Sequence, residues 1–349
     1  MRVRRSLYDF ATSCQSGVRP AQGWMDHLKF ALPKVGILQA CDPDELTHYL
    51  HRRRDDCERL FDVERPSRRR IRIVFRGSKW LFNLQLSIGL IDGRWTGAGD
   101  LDLNPTRLVR SVGLHHGLPT EHINVFHLMR THEQTPLPDT LDGKDNYIPD
   151  VLVPEVIQLD WPSLVQNYAA AVLQNVAEVL GTLHDYDIYN PQHLPFVQLP
   201  SLHDWTLRYA EVYVELREPE ALLQVAAISE HGRSLANLFS AENHGRVPTT
   251  SEMRVSNMPA MLIKLGAEGV DLSVYAKTFE RLRVEVRYKK YPMRLCRLNR
   301  SSYPKSPAFI AQVLRDVRAN AMQRTTKFLQ GYDRSRGSAP LSCSHLSAF

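Results

Sequence analysis

The sequence predicts an α+β protein in which an antiparallel sheet packs against separate helices. Three observations carry that expectation. Alternating apolar runs face each other across short turns, as in Ile71–Phe75 with Trp80–Ile88, and again in Leu272–Lys277 with Arg281–Tyr288. Two long segments, Trp161 to about Leu183 and Pro307 to about Leu329, carry apolar residues at helical spacing. The glycines at 89, 93, 97 and 99 follow no strand-GxGxxG-helix order, and no GxxxxGK[ST] occurs, which argues against a nucleotide fold and an intrinsic ATPase or helicase motor. Two similar α/β halves around a cleft are one arrangement of such a chain.

The elements follow in order. Residues 1–24 lack periodicity and read as a disordered extension from an upstream start. The run Met25-Asp26-His27-Leu28-Lys29-Phe30-Ala31-Leu32-Pro33 reads as a first strand, with Leu28, Phe30 and Leu32 alternating. Asp42 caps a helix with Pro43 in its first position, running to about Leu60. A hairpin turns at Arg76–Lys79, Gly89–Gly99 reads as a glycine-rich turn region, and Asn104-Pro105 opens another helix. An N-terminal part, 25–135, is followed by a proline-rich stretch over 131–154 that reads as a linker. The C-terminal part, 155–330, starts on the helix capped by Asp160 and continues through a strand over Thr206–Leu216 and a helix from Glu218 to about Ile228. It ends with the hairpin at 272–288 and a last helix; 331–349 read as a disordered tail.

The chain of 349 residues is 43% hydrophobic and 23% charged, enough apolar residue for a sizeable core. Its net charge of +6 is patchy, with Arg52-Arg53-Arg54 and Arg68-Arg69-Arg70 as runs and Arg281, Arg283 and Arg287 as an alternating set. Clustered arginine suits phosphate neutralisation, and it also suits solvated loops. Five scattered cysteines without a CxxC argue against a disulfide framework or a cysteine zinc site and fit a reducing cytoplasm. No apolar run approaches the ~18 residues of a membrane span. The 14 histidines form neither His-x-His nor HExxH; His203-Asp204 stands close before a strand that could bring it to a site.

Chemistry concentrates in Asp271–Tyr288. With period two, Ser273, Tyr275 and Lys277 share one side of their strand, and Arg281, Arg283, Glu285 and Arg287 one side of the next. A three-residue turn, Thr278-Phe279-Glu280, sets Lys277 opposite Arg281, Tyr275 opposite Arg283 and Ser273 opposite Glu285; an even-numbered turn breaks that agreement. The set suits phosphodiester transesterification: a phenol attacks phosphorus, cations stabilise the phosphoryl oxygens, and Glu285 holds magnesium or manganese. Alternating charge on an exposed strand is the plainer reading of the same pattern.

Several of these segments resemble, in order, the replication initiators of filamentous bacteriophages, the gene II-type nicking-closing proteins of the phage CRI group. The run Met25–Pro33 resembles the family's opening strand, and Asn104-Pro105-Thr106-Arg107-Leu108 the step after its first hairpins. Leu207–Val212 stands where an Arg-x-Asp strand is expected, Tyr275-Ala276-Lys277 is similar to the Tyr-x-Lys strand, and Leu282–Arg287 to the Arg-x-Glu strand. The resemblance covers about residues 25–330. It implies Tyr275 as nucleophile with Lys277 beside it, and Glu285 as metal ligand, with Glu211 in the place of the family's acid. It implies Mg2+ or Mn2+ as cofactor and phosphate contacts from Arg281, Arg283, Arg287, Arg52, Arg53, Arg68, Arg69 and Arg70. The reaction implied is single-strand cleavage at an origin, leaving a 3′-hydroxyl and a tyrosyl 5′-phosphate later resealed, with a host helicase as partner.

The sequence departs from the pattern at two places. Glu211 stands three residues after Arg208, so strand parity sets the two on opposite sides. The link from Tyr275 to Glu285 is short, and a second alignment puts Leu262-Ile263-Lys264 at the Tyr-x-Lys position, leaving no tyrosine there. A phage or plasmid DNA-binding protein without cleavage, a repressor or packaging factor, is the alternative reading.

Overall fold

The computed structural model describes residues 23–38, 41–76, 81–117, 123–134, 140–181, 196–243, 245–255, 258–265 and 269–335. Among them, nine α-helices accompany one antiparallel sheet of eleven strands, an α+β architecture. The strands are β1 (Trp24–Ile37), β2 (Phe61–Ser67), β3 (Arg70–Arg76), β4 (Phe82–Ile91), β5 (Arg94–Leu103), β6 (Val197–Gln198), β7 (Thr206–Arg217), β8 (Thr249–Val255), β9 (Met258–Leu265), β10 (Val270–Thr278) and β11 (Arg281–Tyr288). The helices are α1 (Pro43–Asp56), α2 (Pro105–His115), α3 (Val125–Glu133), α4 (Val153–Val156), α5 (Trp161–Leu180), α6 (Ala221–Glu230), α7 (Gly232–Asn237), α8 (Pro292–Leu295) and α9 (Phe309–Ser335). None is long and apolar enough to cross a membrane.

The strand order is β2-β3-β4-β5-β1-β7-β11-β10-β9-β8, with β6 paired to the end of β1. Each half repeats one plan: a central strand, a helix, two hairpins, a helix. The last hairpin strand returns beside the central one, and β1 and β7 meet antiparallel in the middle. The sheet order is therefore a palindrome. The parts expected at 25–135 and 155–330 both contribute strands to this one sheet.

Local chemistry explains the elements. The α1 cap is a full capping box: Asp42 accepts from the Asp44 and Glu45 amides, and the Glu45 carboxylate accepts from the Asp42 amide. Helix α5 buries Trp161, Val165, Tyr168, Val172, Val176 and Leu180 along one stripe and stops at Gly181, whose φ of 88° no side-chain-bearing residue adopts comfortably. The apolar face of the sheet receives the helices. Phe75 and Phe82 meet Phe126 of α3, and Tyr288 donates to Asn320 of α9.

Several boundaries differ from expectation. Helix α1 ends at Asp56, because Glu58 and Arg59 take positive φ. The region read as a glycine-rich turn is largely strand β5. Gly97 is needed there because a Cβ would lie 1.9 Å from the Ser87 carbonyl oxygen of β4. Strand β1 already includes Trp24, whose ring stacks on Trp161, so the expected extension ends earlier; residues 1–22 lie outside the described ones. Helix α9 runs past Gly331 to Ser335, burying Tyr332, and only 336–349 of the expected tail lie outside the described residues. Residues 231–250, whose sequence reads as a loop, contain α7 and the start of β8.

Candidate metal centre

The polar face of the sheet gathers three carboxylates from three neighbouring strands: Asp26 of β1, Glu211 of β7 and Glu285 of β11. One oxygen of each lies within 4.8 Å of the others, and all three residues are buried. A β-bulge puts Asp26 there. Met25 pairs with Val212 and Leu28 with Ala210, so Asp26 and His27 together oppose the single residue Glu211. The extra residue lets Met25 and Leu28 both enter the apolar core while Asp26 and His27 look the other way. A second bulge, at Arg208, adjusts the facing segment of β7, so strict parity from Arg208 does not decide where Glu211 points.

Tyr275 and Glu285 share this face. The Tyr275 hydroxyl donates to Glu285 Oε2 at 2.9 Å, and Tyr209 donates to Glu211 Oε2 at 2.7 Å. Ser273 lies 3.4 Å from the other Glu285 oxygen, which Arg287 also engages, and Arg287 Nε stands 3.6 Å from Glu211. One Asp26 oxygen accepts from Asn146 and faces Arg283 Nη1 at 3.5 Å; the other, Oδ1, is buried without a hydrogen-bond partner.

Charge in this pocket is unbalanced. Burial, then the neighbouring Glu285 and Asp26, push the Glu211 carboxyl well above its usual range. Burial presses Glu285 the same way, but Arg287, the bond with Glu211, Arg283 and Tyr275 outweigh it and hold Glu285 low. Of the pair, Glu211 is therefore the carboxyl pushed toward its protonated form and Glu285 the one held toward its ionised form. Burial also pushes the Tyr275 phenol far up, against the pull of Arg283. Three oxygen donors, one of them orphaned, and no sulfur or imidazole in the group fit a hard divalent cation.

The expected site residues divide clearly. Tyr275 pairs with Arg283 and Ser273 with Glu285, as the alternation predicts. The turn, however, is the two-residue Phe279-Glu280, and Thr278 rather than Lys277 stands opposite Arg281. Lys277 is a bulge residue, and that extra residue restores the register an even-numbered turn would have broken. Lys277 is fully buried, with Nζ at 2.7 Å from both Asp142 Oδ1 and Asn146 Oδ1, and does not sit beside the phenol as a free cation.

Arg281 and Arg283 were expected to face outward, and both are buried. The segment 140–152, which the sequence suggests is a linker, folds over them. Arg281 binds Glu215, Asp150 and the Ile148 carbonyl, with its guanidinium 4.6 Å from the Tyr147 ring centroid. Arg283 binds Glu215 and the Asn146 carbonyl and stacks 3.8 Å from the Tyr213 ring centroid. Their charge neutralises carboxylates inside the protein, where phosphate does not reach. Arg287 keeps 25% of its side chain exposed. Arg53 caps the end of α5 through the Val179 carbonyl, and Arg52 is exposed near Tyr49. Arg68, Arg69 and Arg70 are exposed at the β2–β3 turn.

Sequence reasoning reached Glu285 and Glu211 and missed Asp26. The signal was present in the three-residue spacing of Met25 and Leu28, which only a bulge can bring to one face. The Leu262-Ile263-Lys264 segment lies in β9, on the far side of β10 from Glu285, where the second alignment would leave this carboxylate without a phenol. The histidines at 115, 116 and 127 approach one another as rings, but the carboxylate trio is the only group of metal-ligand type among the described residues. No protein-family model, no curated protein and no solved structure matches this chain.

Proposed function

We propose that this protein nicks and rejoins one DNA strand at a replication origin through a tyrosyl-phosphate intermediate, in the manner of a filamentous-phage initiator. The observation that carries the reading is the bond from the Tyr275 hydroxyl to Glu285, one of the three clustered carboxylates. It joins a nucleophile to a cation-binding group across two neighbouring strands.

Asp26, Glu211 and Glu285 would hold Mg2+ or Mn2+, and the ion when bound supplies positive charge to the phosphoryl oxygens. The residues of the chain do the rest. The Tyr275 oxygen attacks phosphorus and its proton passes to Glu285 Oε2, the oxygen it already faces. The bond from phosphorus to O3′ breaks, O3′ leaves as a hydroxyl after taking a proton from solvent, and the 5′-phosphate stays on Tyr275. Attack by a 3′-hydroxyl on that phosphotyrosine reverses the step and seals the strand. Arg287, partly exposed and paired to both glutamates, is the guanidinium nearest the reacting group that solvent reaches. A helicase that opens duplex from the nick is the partner the reaction calls for.

Purified protein incubated with supercoiled DNA bearing its own origin, in Mg2+ or Mn2+, is expected to give nicked circles with protein attached. The attached peptide is expected to map to Tyr275, and Tyr275→Phe to form no adduct. An adduct that persists in Tyr275→Phe overturns the assignment. The second reading, a DNA-binding protein that does not cleave, is favoured by one fact: Tyr275 is only 3% exposed. Metal-independent binding without nicking would establish it.

A further inference from the structure

We propose that the N-terminal half of the polar face, over which none of the described segments folds as 140–152 does in the other half, is a shelf for duplex DNA, with an arginine clamp at its far end. The proposal extends the DNA-nicking reading, and it rests on the register of the sheet rather than on Tyr275.

The two halves of the sheet differ in what lies over the polar face. In the C-terminal half the 140–152 segment is bolted down by Lys277, Arg281 and Arg283. In the N-terminal half the pairing runs without a shift from Asn83↔Asp102 to Ile91↔Arg94, so Arg94, Thr96, Ala98 and Asp100 stand on the same side as Asp102. Ser87 and Arg70 join that side through the pairs Ser87↔Ala98, Arg70↔Gly89 and Gly89↔Thr96. Arg70, Ser87, Arg94 and Thr96 are exposed. Asp102 is tied through Lys29 to β1, the strand that carries Asp26. One continuous face therefore leads from the carboxylate centre to the hairpin tips.

The far end is strongly basic. The β2–β3 and β4–β5 turns touch, with the Leu90 amide donating to the Arg69 carbonyl at 2.9 Å. Together they expose Arg68, Arg69, Arg70 and Arg94 against the single acid Asp92, with Ile91 58% exposed between them. No ion pair holds any of these four arginines among the described residues, whereas neighbouring Arg65 and Arg72 are paired to Asp44 and Glu64. Between tip and centre the shelf carries first Ser87, Thr96 and Ala98 and then Asp100 and Asp102, so the charge that can hold a phosphate backbone is confined to the tip.

Distance selects the occupant. The rise along β5 from Arg94 to Leu103, which is level with Leu28 and Ala210, is about 30 Å at ~3.3 Å per residue; Asp26 and Glu211 lie one step further, and two strand spacings of about 4.8 Å separate β5 from β7. The clamp thus stands about 34 Å from the carboxylates, close to ten base pairs at ~3.4 Å each. A stiff duplex spans that length; a small anion does not.

The test is binding of a fluorescent 30-base-pair duplex across a salt series, comparing the protein with a variant carrying Arg68→Ala, Arg69→Ala, Arg70→Ala and Arg94→Ala. All four sites are exposed, so the variant is expected to keep its circular dichroism and its Mn2+ affinity. We expect affinity to fall at least tenfold near 0.1 M salt, and the slope of log K against log salt to flatten by about 3 to 4, near 0.9 for each phosphate no longer neutralised. A duplex ending about five base pairs from the cut on the clamp side is expected to bind protein and variant alike. Unchanged affinity and slope in the variant overturn the proposal, as does an equal loss on single-stranded DNA of the same length. Nicking by a variant that binds like the parent sinks the clamp and leaves the nickase reading standing. Arginine-dependent duplex binding by a protein that never nicks does the reverse.

Discussion

At the scale of single residues, the centre is defined by what each carboxylate lacks. Glu211 lacks full compensation, which favours a proton on it; Asp26 lacks a partner for Oδ1. A cation entering the trio displaces the one and satisfies the other. Glu211→Gln copies the protonated, metal-free state in shape and charge. Its stability without metal is therefore expected to stay within about 1 kcal/mol of the parent. Its response to metal is expected to differ. Millimolar Mn2+ at 100-fold over Kd would raise parent stability by about 2.7 kcal/mol through binding to the folded state, and Glu211→Gln is expected to lose most of that gain. Thermal melts with and without Mn2+ measure both quantities. A variant that gains as much from Mn2+ as the parent would remove Glu211 from the centre. At this scale the sequence is informative within a regular run: alternation puts Ser273 with Tyr275 and Arg283 with Glu285, while their meeting across the hairpin depends on a two-residue turn offset by the bulge at Lys277. At Asp26 it offers only a faint signal, the broken apolar spacing of Met25 and Leu28, because a bulge depends on how two distant strands align.

At the scale of elements, the β10–β11 hairpin and the 140–152 segment form one unit locked by buried charge. Lys277 is the lock: the Leu141 amide bonds its carbonyl, and its ammonium binds Asp142 and Asn146. Burial, followed by the repulsion of Arg283, lowers the Lys277 ammonium to about 8, from an ordinary value of 10.5, despite the pull of Asp142. The sign of the resulting pH dependence follows from proton counting. Between about pH 8 and 10.5 the unfolded chain binds more protons at this position than the folded one, so stability from Lys277 rises with pH across that window. Below pH 8 both states are protonated and the contribution is flat. The full rise is of order 3 kcal/mol, at 1.36 kcal/mol per pKa unit. Lys277→Met is expected to remove the rise while costing roughly 3–5 kcal/mol at pH 7, since Asp142 is left buried without its cation. Urea midpoints of parent and variant at pH 7.5, 8.5 and 9.5 test this; parallel curves would refute it. Elements that follow local rules, such as the capped α1 and the stripe of α5, are legible beforehand. Strand β5 is hidden because its glycines, which mark turns in isolation, are here dictated by a backbone 1.9 Å from where a Cβ would go. The Gly331 position misleads in the same way: a Cβ there would meet Leu238 at 2.1 Å, so the helix passes through it on packing grounds.

At the scale of the whole molecule, the palindromic sheet raises the question of whether its halves act as one. Repeated plans often fold as separable units, and a chain of this length is not two-state by default. Here the central seam argues for unity. β1 and β7 pair along both sides of the carboxylate centre, and its carboxylates come from both halves, Asp26 from one and Glu211 and Glu285 from the other. Trp24 sits at the seam, stacking on Trp161 of α5 with centroids 6.1 Å apart and tilting against Tyr213 of β7 at 5.9 Å. A face of the first half thus packs on side chains of the second, and the helices share one buried apolar cluster with both. Neither half can shed its partner without exposing that cluster and the edge of β1 or β7. Urea unfolding followed by tryptophan fluorescence and by far-ultraviolet circular dichroism is therefore expected to give one coincident transition. Trp24→Ala is expected to shift the whole transition down by about 3–5 kcal/mol, the usual cost of deleting a buried tryptophan side chain. Two resolved transitions, with the substitution moving only the one that belongs to the N-terminal half, would mean that the seam couples nothing. In that case the carboxylate centre, built across it, would open whenever either half did. A single shifted transition instead makes the centre as stable as the molecule, because the pairs that position Asp26 against Glu211 are the pairs that hold the two halves together.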